Sequence, residues 1–282
     1  MLDSKKLVGL LGYPLGHSLS PVMHNSAFKY CGLKNVYVPV EVKPEDLGII
    51  VKAIGNMNFI GFNVTVPHKV EIIKYLDELD ELAKIIGAVN TVVVKDGRMK
   101  GYNTDGVGFL KSFQENTDES VEGKKVFILG AGGASRAVSM TLAMNKAQKI
   151  YICNRTYEKA ESLCEDINAK IGNVSLAVPM EYEHMKKAIE DCDVLINTTT
   201  VGMYPDGDVS PLDKKLINDS LIVCDIVYNP RKTKLIEEAE KLGCKIVPGL
   251  PMLVYQGAES FRLWTGIEAP VDVMFEAVES NS

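Results

Sequence analysis

The stretch KKVFILGAGGASRAVSMTLAMN, residues 124–145, limits what this chain can become more than any other. An apolar run of strand length stops at a cluster of glycines, and apolar residues then recur at helical spacing. A strand that turns tightly through glycine into a helix is the first half of a β-α-β unit, and such a crossover feeds a parallel strand. The continuation keeps to that order. KIYICN, NVSLAVP, DVLINTT, LIVCDIVY and the short KIVPG read as strands, and YEKAESLCEDINAK, MKKAIED and TKLIEEAEKLG read as helices. Residues 106–249 are therefore expected to form a Rossmann-type doubly wound domain, a parallel sheet with helices on both faces.

A similar alternation precedes it. LVGLL (7–11), VYVPVEV (36–42) and FIGFNVTV (59–66) read as strands, and PEDLGIIVKAIGN (44–56) as a helix. Ser20 before Pro21 reads as an N-cap and first-turn proline, opening a helix that Gly32 ends. Further helices are expected from Pro67 to about Leu76 and from about Glu78 to Ile86, followed by two β-rich runs around the hairpin signal Asp96-Gly97. Two helical patterns, MLVYQGAESFRLWTG and VDVMFEAVES, finish the chain. The fold class is α/β with two domains, an N-terminal one over about residues 1–105 and the doubly wound one, and the last helices fit either.

In the glycine turn, Gly130, Gly132 and Gly133, with Ala131 and Ala134 between and after them, let the backbone approach a pyrophosphate at a helix N-terminus. The third glycine of the G-x-G-x-x-G pattern is replaced by Ser135. A turn that only allows close helix–strand packing is the competing reading. At the end of the next strand, NAD binders place an acid for the ribose 2′-hydroxyl. Here Asn154-Arg155-Thr156 stands instead, and Arg155 can pair with a 2′-phosphate, which points to NADP; a solvated surface arginine is the alternative.

The net charge of −6 argues against a nucleic-acid partner, which asks for a basic face. The six cysteines form no C-x-x-C pair and no zinc-spaced cluster, so no metal is expected and a reduced, cytoplasmic setting is. No run is long and apolar enough to read as a membrane span or signal peptide.

The first domain carries polar clusters near predicted strand ends: GHSLSP with Ser18 and Ser20, FNVTVPHK with Asn63, Thr65, His68 and Lys69, GAVNT with Asn90 and Thr91, and GYNTD with Asn103, Thr104 and Asp105. Ligands of open α/β sheets bind outside the carboxyl ends of the strands, and this set suits a small polyhydroxylated molecule. Each residue also has a plainer reading: Ser20 as a helix cap, Ser18 as a turn residue, Asn90 and Asn103 as hairpin residues, His68 as a structural or surface histidine, Asp105 as a cap. Lys69 is the odd one, because a helix opening at Pro67 would set it against the positive end of the dipole. That placement, with partial burial, would disfavour its charged form and suit proton exchange near neutral pH. Its alternative is a solvated helix lysine whose stem covers apolar surface.

Together, YPLGHSLSP, GFNVTVPHK, GAVNTV, GYNTDG, the glycine turn, NRT and GLPMLVYQGA resemble the shikimate dehydrogenase family, in family order from near the N-terminus to about residue 266. The resemblance implies reduction of 3-dehydroshikimate by NADPH to shikimate. It implies that Ser18 and Ser20 hold the substrate carboxylate. Asn63, Thr65, Lys69, Asn90 and Asp105 would surround the ring hydroxyls and the reacting carbon, with Lys69 and Asp105 handling the proton. Tyr228 of DIVYNP and Gln256 of LVYQGA would complete the pocket, and Ile226 and Gly249 would touch the cofactor. It also returns residues 250–282 to the first, substrate-binding domain, and leaves the protein a monomer or homodimer. Ile226 stands where some relatives carry Met, and Pro251 where many carry Gly. The rival enzyme is a quinate/shikimate dehydrogenase using NAD or both cofactors. The rival of another class is a non-catalytic dinucleotide sensor, against which the presence of both Lys69 and Asp105 argues.

Overall fold

The computed structural model describes residues 5–16 and 18–281. The chain divides into two compact units, Met1–Asp105 with Val254–Ser282, and Gly106–Leu253. The second division falls inside a helix, four residues beyond the 249/250 boundary expected from the sequence.

The first unit opens with β1 (Leu7–Gly12), α1 (Ser20–Tyr30), β2 (Val36–Glu41), α2 (Leu47–Ile54) and β3 (Phe59–Val64). It continues with β4 (Glu78–Leu79), α3 (Glu81–Ile86), β5 (Thr91–Lys95) and β6 (Arg98–Tyr102). Its sheet runs β2-β1-β3-β5-β6-β4. The pairs β1–β2 and β1–β3 are parallel, but β3–β5 and β5–β6 are antiparallel, so this sheet is mixed where the repeated β-α-β order implied a parallel one. For β5–β6 the reason is local. Asp96 and Gly97 both take positive φ, 52° and 77°, which closes a two-residue hairpin and forces β6 back along β5. The core packs Leu11, Phe62, Val64 and Val92 of the sheet against Leu47, Val51 and Ile54 of α2.

Three expectations fail here for identifiable reasons. No α-helix begins at Pro67: residues 65–70 form turns, and only a 3-10 segment, Glu71–Tyr75, follows. The Lys69 carbonyl accepts from Val89 N at 2.7 Å, a partner from a distant segment rather than from the next helical turn. The His68 ring is buried and lies 2.6 Å from the Val42 carbonyl, which pins the turn and makes this histidine structural. The dipole argument for Lys69 therefore has no helix behind it. The expected helix from Glu78 is divided, because Glu78 and Leu79 pair with β6 and Asp80 caps α3, accepting from Leu82 N at 3.0 Å. Ser20 is the first residue of α1 and not its cap; Leu19 holds that position without a side-chain bond. The Ser18 hydroxyl accepts from Ser20 N at 3.3 Å.

The helix α4 (Asp105–Thr117) leads into the second unit. There follow β7 (Lys125–Leu129), α5 (Gly133–Met144), β8 (Lys149–Cys153), α6 (Tyr157–Lys170), β9 (Ser175–Val178), α7 (Tyr182–Ile189) and β10 (Val194–Asn197). The unit ends with β11 (Ile222–Asp225), α8 (Lys234–Leu242) and β12 (Lys245–Val247). Its sheet is parallel throughout, in the order β12-β11-β10-β7-β8-β9. The order reverses at β7, so the glycine turn leaves the sheet at the topological switch point of a doubly wound fold. The helix α9 (Gly249–Thr265) returns the chain to the first unit, where α10 (Val271–Glu279) ends it. Trp264 of α9 fastens that return by donating its indole N–H to the Val92 carbonyl at 2.9 Å. Among the described residues no helix is long and apolar enough to cross a membrane.

Candidate active site

In the first unit, the turn after β3 and the start of α4 bring Lys69 and Asp105 together. Lys69 Nζ donates to Asp105 Oδ2 at 2.6 Å, with the two side chains 13% and 6% exposed. Asp105 sits in the first turn of α4, where the helix dipole suits a carboxylate, and its backbone N–H donates to Asn103 Oδ1 at 3.1 Å. Asn90 Nδ2 donates to Asp105 Oδ1 at 2.9 Å and to Thr104 Oγ1 at 2.8 Å, and lies 3.3 Å from Gln256 Oε1. Asn90 Oδ1 accepts from Thr104 N at 2.8 Å. Because that donor is a backbone N–H, it fixes which end of the amide faces Asp105.

Asn63 is tied into the same cluster and turns inward. Its Nδ2 donates to Thr91 Oγ1, Ser260 Oγ and the Asn90 carbonyl at 3.0–3.1 Å, and its Oδ1 accepts from the Tyr37 hydroxyl at 2.8 Å. Among the described residues Thr65, Ser18 and Ser20 are not hydrogen-bonded to this cluster by their side chains. Thr65 lies beside Gly12 of β1, and the Ser20 hydroxyl makes no hydrogen bond there. Thr91 and Thr104 belonged to the polar clusters but were not assigned roles; Ser260 and Tyr37 were missed. Ser260 could have been found from Gln256, four residues earlier on one helix face. Tyr37 had no such signal, since only the strand order β2-β1-β3 brings it to Asn63.

In the second unit the glycine turn divides its work. Gly130 has φ +111°, and a Cβ there would stand 2.6 Å from Thr198 Oγ1, so both conformation and packing require glycine. Ser135, at the place of the third glycine, is buried and donates to the Gly130 carbonyl at 2.6 Å, bracing the turn. Gly132 differs: a Cβ there would meet nothing within 4 Å. Packing within the chain does not explain that glycine, whereas a pyrophosphate laid across Ala131, Gly132 and the start of α5 at Gly133 and Ala134 would. After β8, the Asn154 amide donates to the Thr156 carbonyl at 2.8 Å, and Arg155 is exposed and forms no ion pair among the described residues. These residues fit a dinucleotide with a 2′-phosphate.

The carboxyl ends of β10 and β11 carry a buried polar knot. Asp225 Oδ1 accepts from Asn197 Nδ2 and Val227 N, both at 3.0 Å, and Oδ2 accepts from Thr233 Oγ1 at 2.6 Å. Burial pushes the Asp225 carboxyl up to about 6 against the pull of those donors. The knot sets the backbone that carries Ile226 and Tyr228. Gly249 packs so closely on that backbone that a Cβ would stand 2.5 Å from the Val227 carbonyl.

A doubly wound unit with an open glycine turn, together with a unit bearing a shielded lysine–carboxylate pair among hydroxyls and amides, defines the class of two-unit dinucleotide-dependent dehydrogenases. Three family models match the chain: the shikimate dehydrogenase substrate binding domain over residues 10–92, shikimate / quinate 5-dehydrogenase over 112–241, and the shikimate 5'-dehydrogenase C-terminal domain over 249–279. A shikimate dehydrogenase (NADP(+)) of Methanopyrus kandleri is 49% identical over 273 residues, 96% of this chain and 94% of that one. A solved shikimate dehydrogenase in complex with NADP+ superposes with a TM-score of 0.91 at 43% identity, covering 98% of this chain and 96% of that one. The quinate dehydrogenase of Corynebacterium glutamicum, solved in complex with NAD, gives 0.90 at 31% identity over 98% and 99%. The chain belongs to the shikimate dehydrogenase family.

Proposed function

We propose that the protein reduces 3-dehydroshikimate to shikimate with NADPH, reversibly, as a step toward aromatic amino-acid precursors. The observation that carries this reading is the shielded Lys69–Asp105 contact of 2.6 Å in a chain so similar to an NADP-dependent shikimate dehydrogenase. When bound, NADPH supplies the hydride for the substrate's carbonyl carbon. The Lys69 ammonium gives its proton to the carbonyl oxygen as negative charge develops there, and Asp105 holds that ammonium in place for the transfer. In the reverse direction neutral Lys69 takes the hydroxyl proton.

Ser18 and Ser20 hold the carboxylate of the substrate, and Thr65, Asn90, Asp105, Gln256 and Tyr228 meet its ring hydroxyls. Asn63 acts on the substrate through its neighbours, since its amide is bonded inward. Gly130, Ala131, Gly132, Gly133 and Ala134 take the pyrophosphate, Asn154, Arg155 and Thr156 the 2′-phosphate, and Ile226 and Gly249 the nicotinamide side. On this reading residues 1–105 and 250–282 form the substrate domain and 106–249 the NADP domain. The six cysteines are all free thiols, which supports a reducing, cytoplasmic setting.

The test is turnover followed at the NADPH band with 3-dehydroshikimate and 3-dehydroquinate, each with NADPH and NADH. Fast turnover confined to 3-dehydroshikimate with NADPH is expected. Comparable rates with 3-dehydroquinate or NADH would favour a quinate/shikimate enzyme, a reading that the likeness to the quinate dehydrogenase keeps open. Cofactor binding without any turnover would favour a sensor.

A further inference from the structure

The hydrogen bonds that end at Asp105 run in one direction. The Tyr37 hydroxyl donates to Asn63 Oδ1 at 2.8 Å, and Asn63 Nδ2 donates to Thr91 Oγ1 at 3.0 Å. The Thr91 hydroxyl donates to Asn90 Oδ1 at 3.1 Å, and Asn90 Nδ2 donates to Asp105 Oδ1 at 2.9 Å. The remaining Asp105 oxygen takes Lys69. Backbone groups set both amide senses: the Asn90 carbonyl can only accept, so it faces Asn63 Nδ2, and Thr104 N can only donate, so it faces Asn90 Oδ1. With its oxygen taken as an acceptor by Asn63, Thr91 has a single hydrogen, for which Asn90 Oδ1 at 3.1 Å and Ser260 Oγ at 2.7 Å compete, and Asn63 Nδ2 also reaches Asn90 directly at its carbonyl, 3.1 Å away. Tyr37, Asn63, Thr91, Asn90 and Asp105 are all buried. In such surroundings each donor polarises the next, so a donor at the far end is felt at the carboxylate.

We propose that Tyr37 is a positioning residue for the Lys69–Asp105 pair: through Asn63, Thr91 and Asn90, its hydroxyl holds the Asn90 amide on Asp105, keeping that carboxylate aimed at Lys69. The inference rests on the proton-handling role proposed above for that pair. The Tyr37 hydroxyl turns inward to Asn63 Oδ1, and it is what the chain of donors requires, since phenylalanine would fill the same space. The titratable groups along the cluster are Lys69 on the turn after β3, Asp105 on α4, Tyr37 on β2 and His24 on α1. The His24 ring stacks on Tyr37 with centroids 4.6 Å apart, and burial pushes it down to about 3, so it is neutral wherever the enzyme works and adds no charge of its own.

Tyr37→Phe keeps the ring and its stacking and removes only the first donor. We expect kcat for 3-dehydroshikimate reduction to fall about fivefold to tenfold, the worth of one buried hydrogen bond. KM for NADPH should stay unchanged, and the acid limb of the kcat–pH profile should move, which a purely structural loss would leave in place. A kcat and an acid limb equal to those of the parent would overturn the proposal. A second pair guards against a folding defect in that variant. Thr91→Ser, which keeps a hydroxyl at the same link, should retain the parental acid limb, and Thr91→Val should shift it. Identical profiles for both Thr91 variants would also overturn the proposal. Lys69→Ala, assayed alongside, separates the two readings: parental turnover there refutes the role of the pair itself, whereas a large loss there with a silent Tyr37→Phe refutes only the relay.

Discussion

Lys69 stands on a turn and not on a helix, so its environment is made by one carboxylate and by the burial of its stem. Lys69→Ala removes both the proposed proton carrier and the only cation bonded to Asp105 among the described residues. We expect kcat to drop by about 10²–10⁴, the usual worth of a positioned acid–base group, with NADPH affinity nearly intact. Steady-state kinetics with direct cofactor titration reads both, and a kcat close to that of the parent would remove Lys69 from the chemistry. The residue types of this site were legible in the sequence because short amides, hydroxyls, a lysine and an aspartate cluster at predicted strand ends. The direction of each side chain was not. Asn63 was expected to point at a ligand, yet Tyr37 of β2, Asn90 and Thr91 at the start of β5 and Ser260 of α9 supply enough donors and acceptors to engage its amide.

At the level of elements, the strand–turn–helix from β7 to α5 would, on the proposed function, separate folding from binding within three residues. Gly132 has φ −87°, which any residue can adopt, and open space around its Cβ position. Gly132→Ala should therefore leave Tm nearly unchanged and weaken NADPH binding at least about tenfold, because the added methyl stands where the pyrophosphate must approach. Gly130→Ala should do the reverse and lower Tm, since φ +111° and Thr198 Oγ1 at 2.6 Å exclude a methyl group. Equal loss of stability in both variants would contradict this division. Arg155→Ala, in the loop after β8, should raise KM for NADPH about tenfold and leave that for NADH unchanged, since an arginine–phosphate contact is made only by the 2′-phosphate. An unaltered NADPH/NADH ratio would assign Arg155 to the solvated surface.

At the scale of the whole molecule, the two units carry buried titrating groups of opposite sign. His24, in the first unit, is pushed down from 6.5 to about 3 by burial. Its folded form stays neutral while the unfolded chain takes up a proton, so it costs the folded unit nothing above pH 6.5 and progressively more as pH falls from 6.5 toward 3. At pH 5 the cost is about 2 kcal/mol. Asp225, in the second unit, is raised from 3.8 to about 6. Its contribution is fully present below pH 3.8 and is lost as pH rises through 6, leaving a cost of about 3 kcal/mol at neutral pH. Denaturant unfolding of His24→Leu should accordingly show a stability gain at pH 5 larger than at pH 8, and Asp225→Asn should compare better with the parent at pH 7.5 than at pH 4. A difference independent of pH in either variant would mean that its group does not titrate between the folded and unfolded states as described.

Most of the order of strands and helices, the doubly wound second unit, the hairpin at Asp96-Gly97 and the glycine turn were determined by the sequence alone. Each depends on signals a few residues apart: apolar periodicity, glycine and asparagine or aspartate at turns, and the glycines that a strand needs before a helix. Tertiary structure alone decided what needs partners from afar. Val89 takes the Lys69 carbonyl and Val42 takes the His68 ring, which prevents the helix that Pro67 announces. Glu78 and Leu79 become strand because β6 offers them an edge. Tyr37, Ser260 and Asn63 meet because a sheet brings β2 near β3 and a returning helix lays its face against them. Local propensity is weak beside an unpaired buried backbone group or amide, so wherever the two compete the long-range partner sets the conformation.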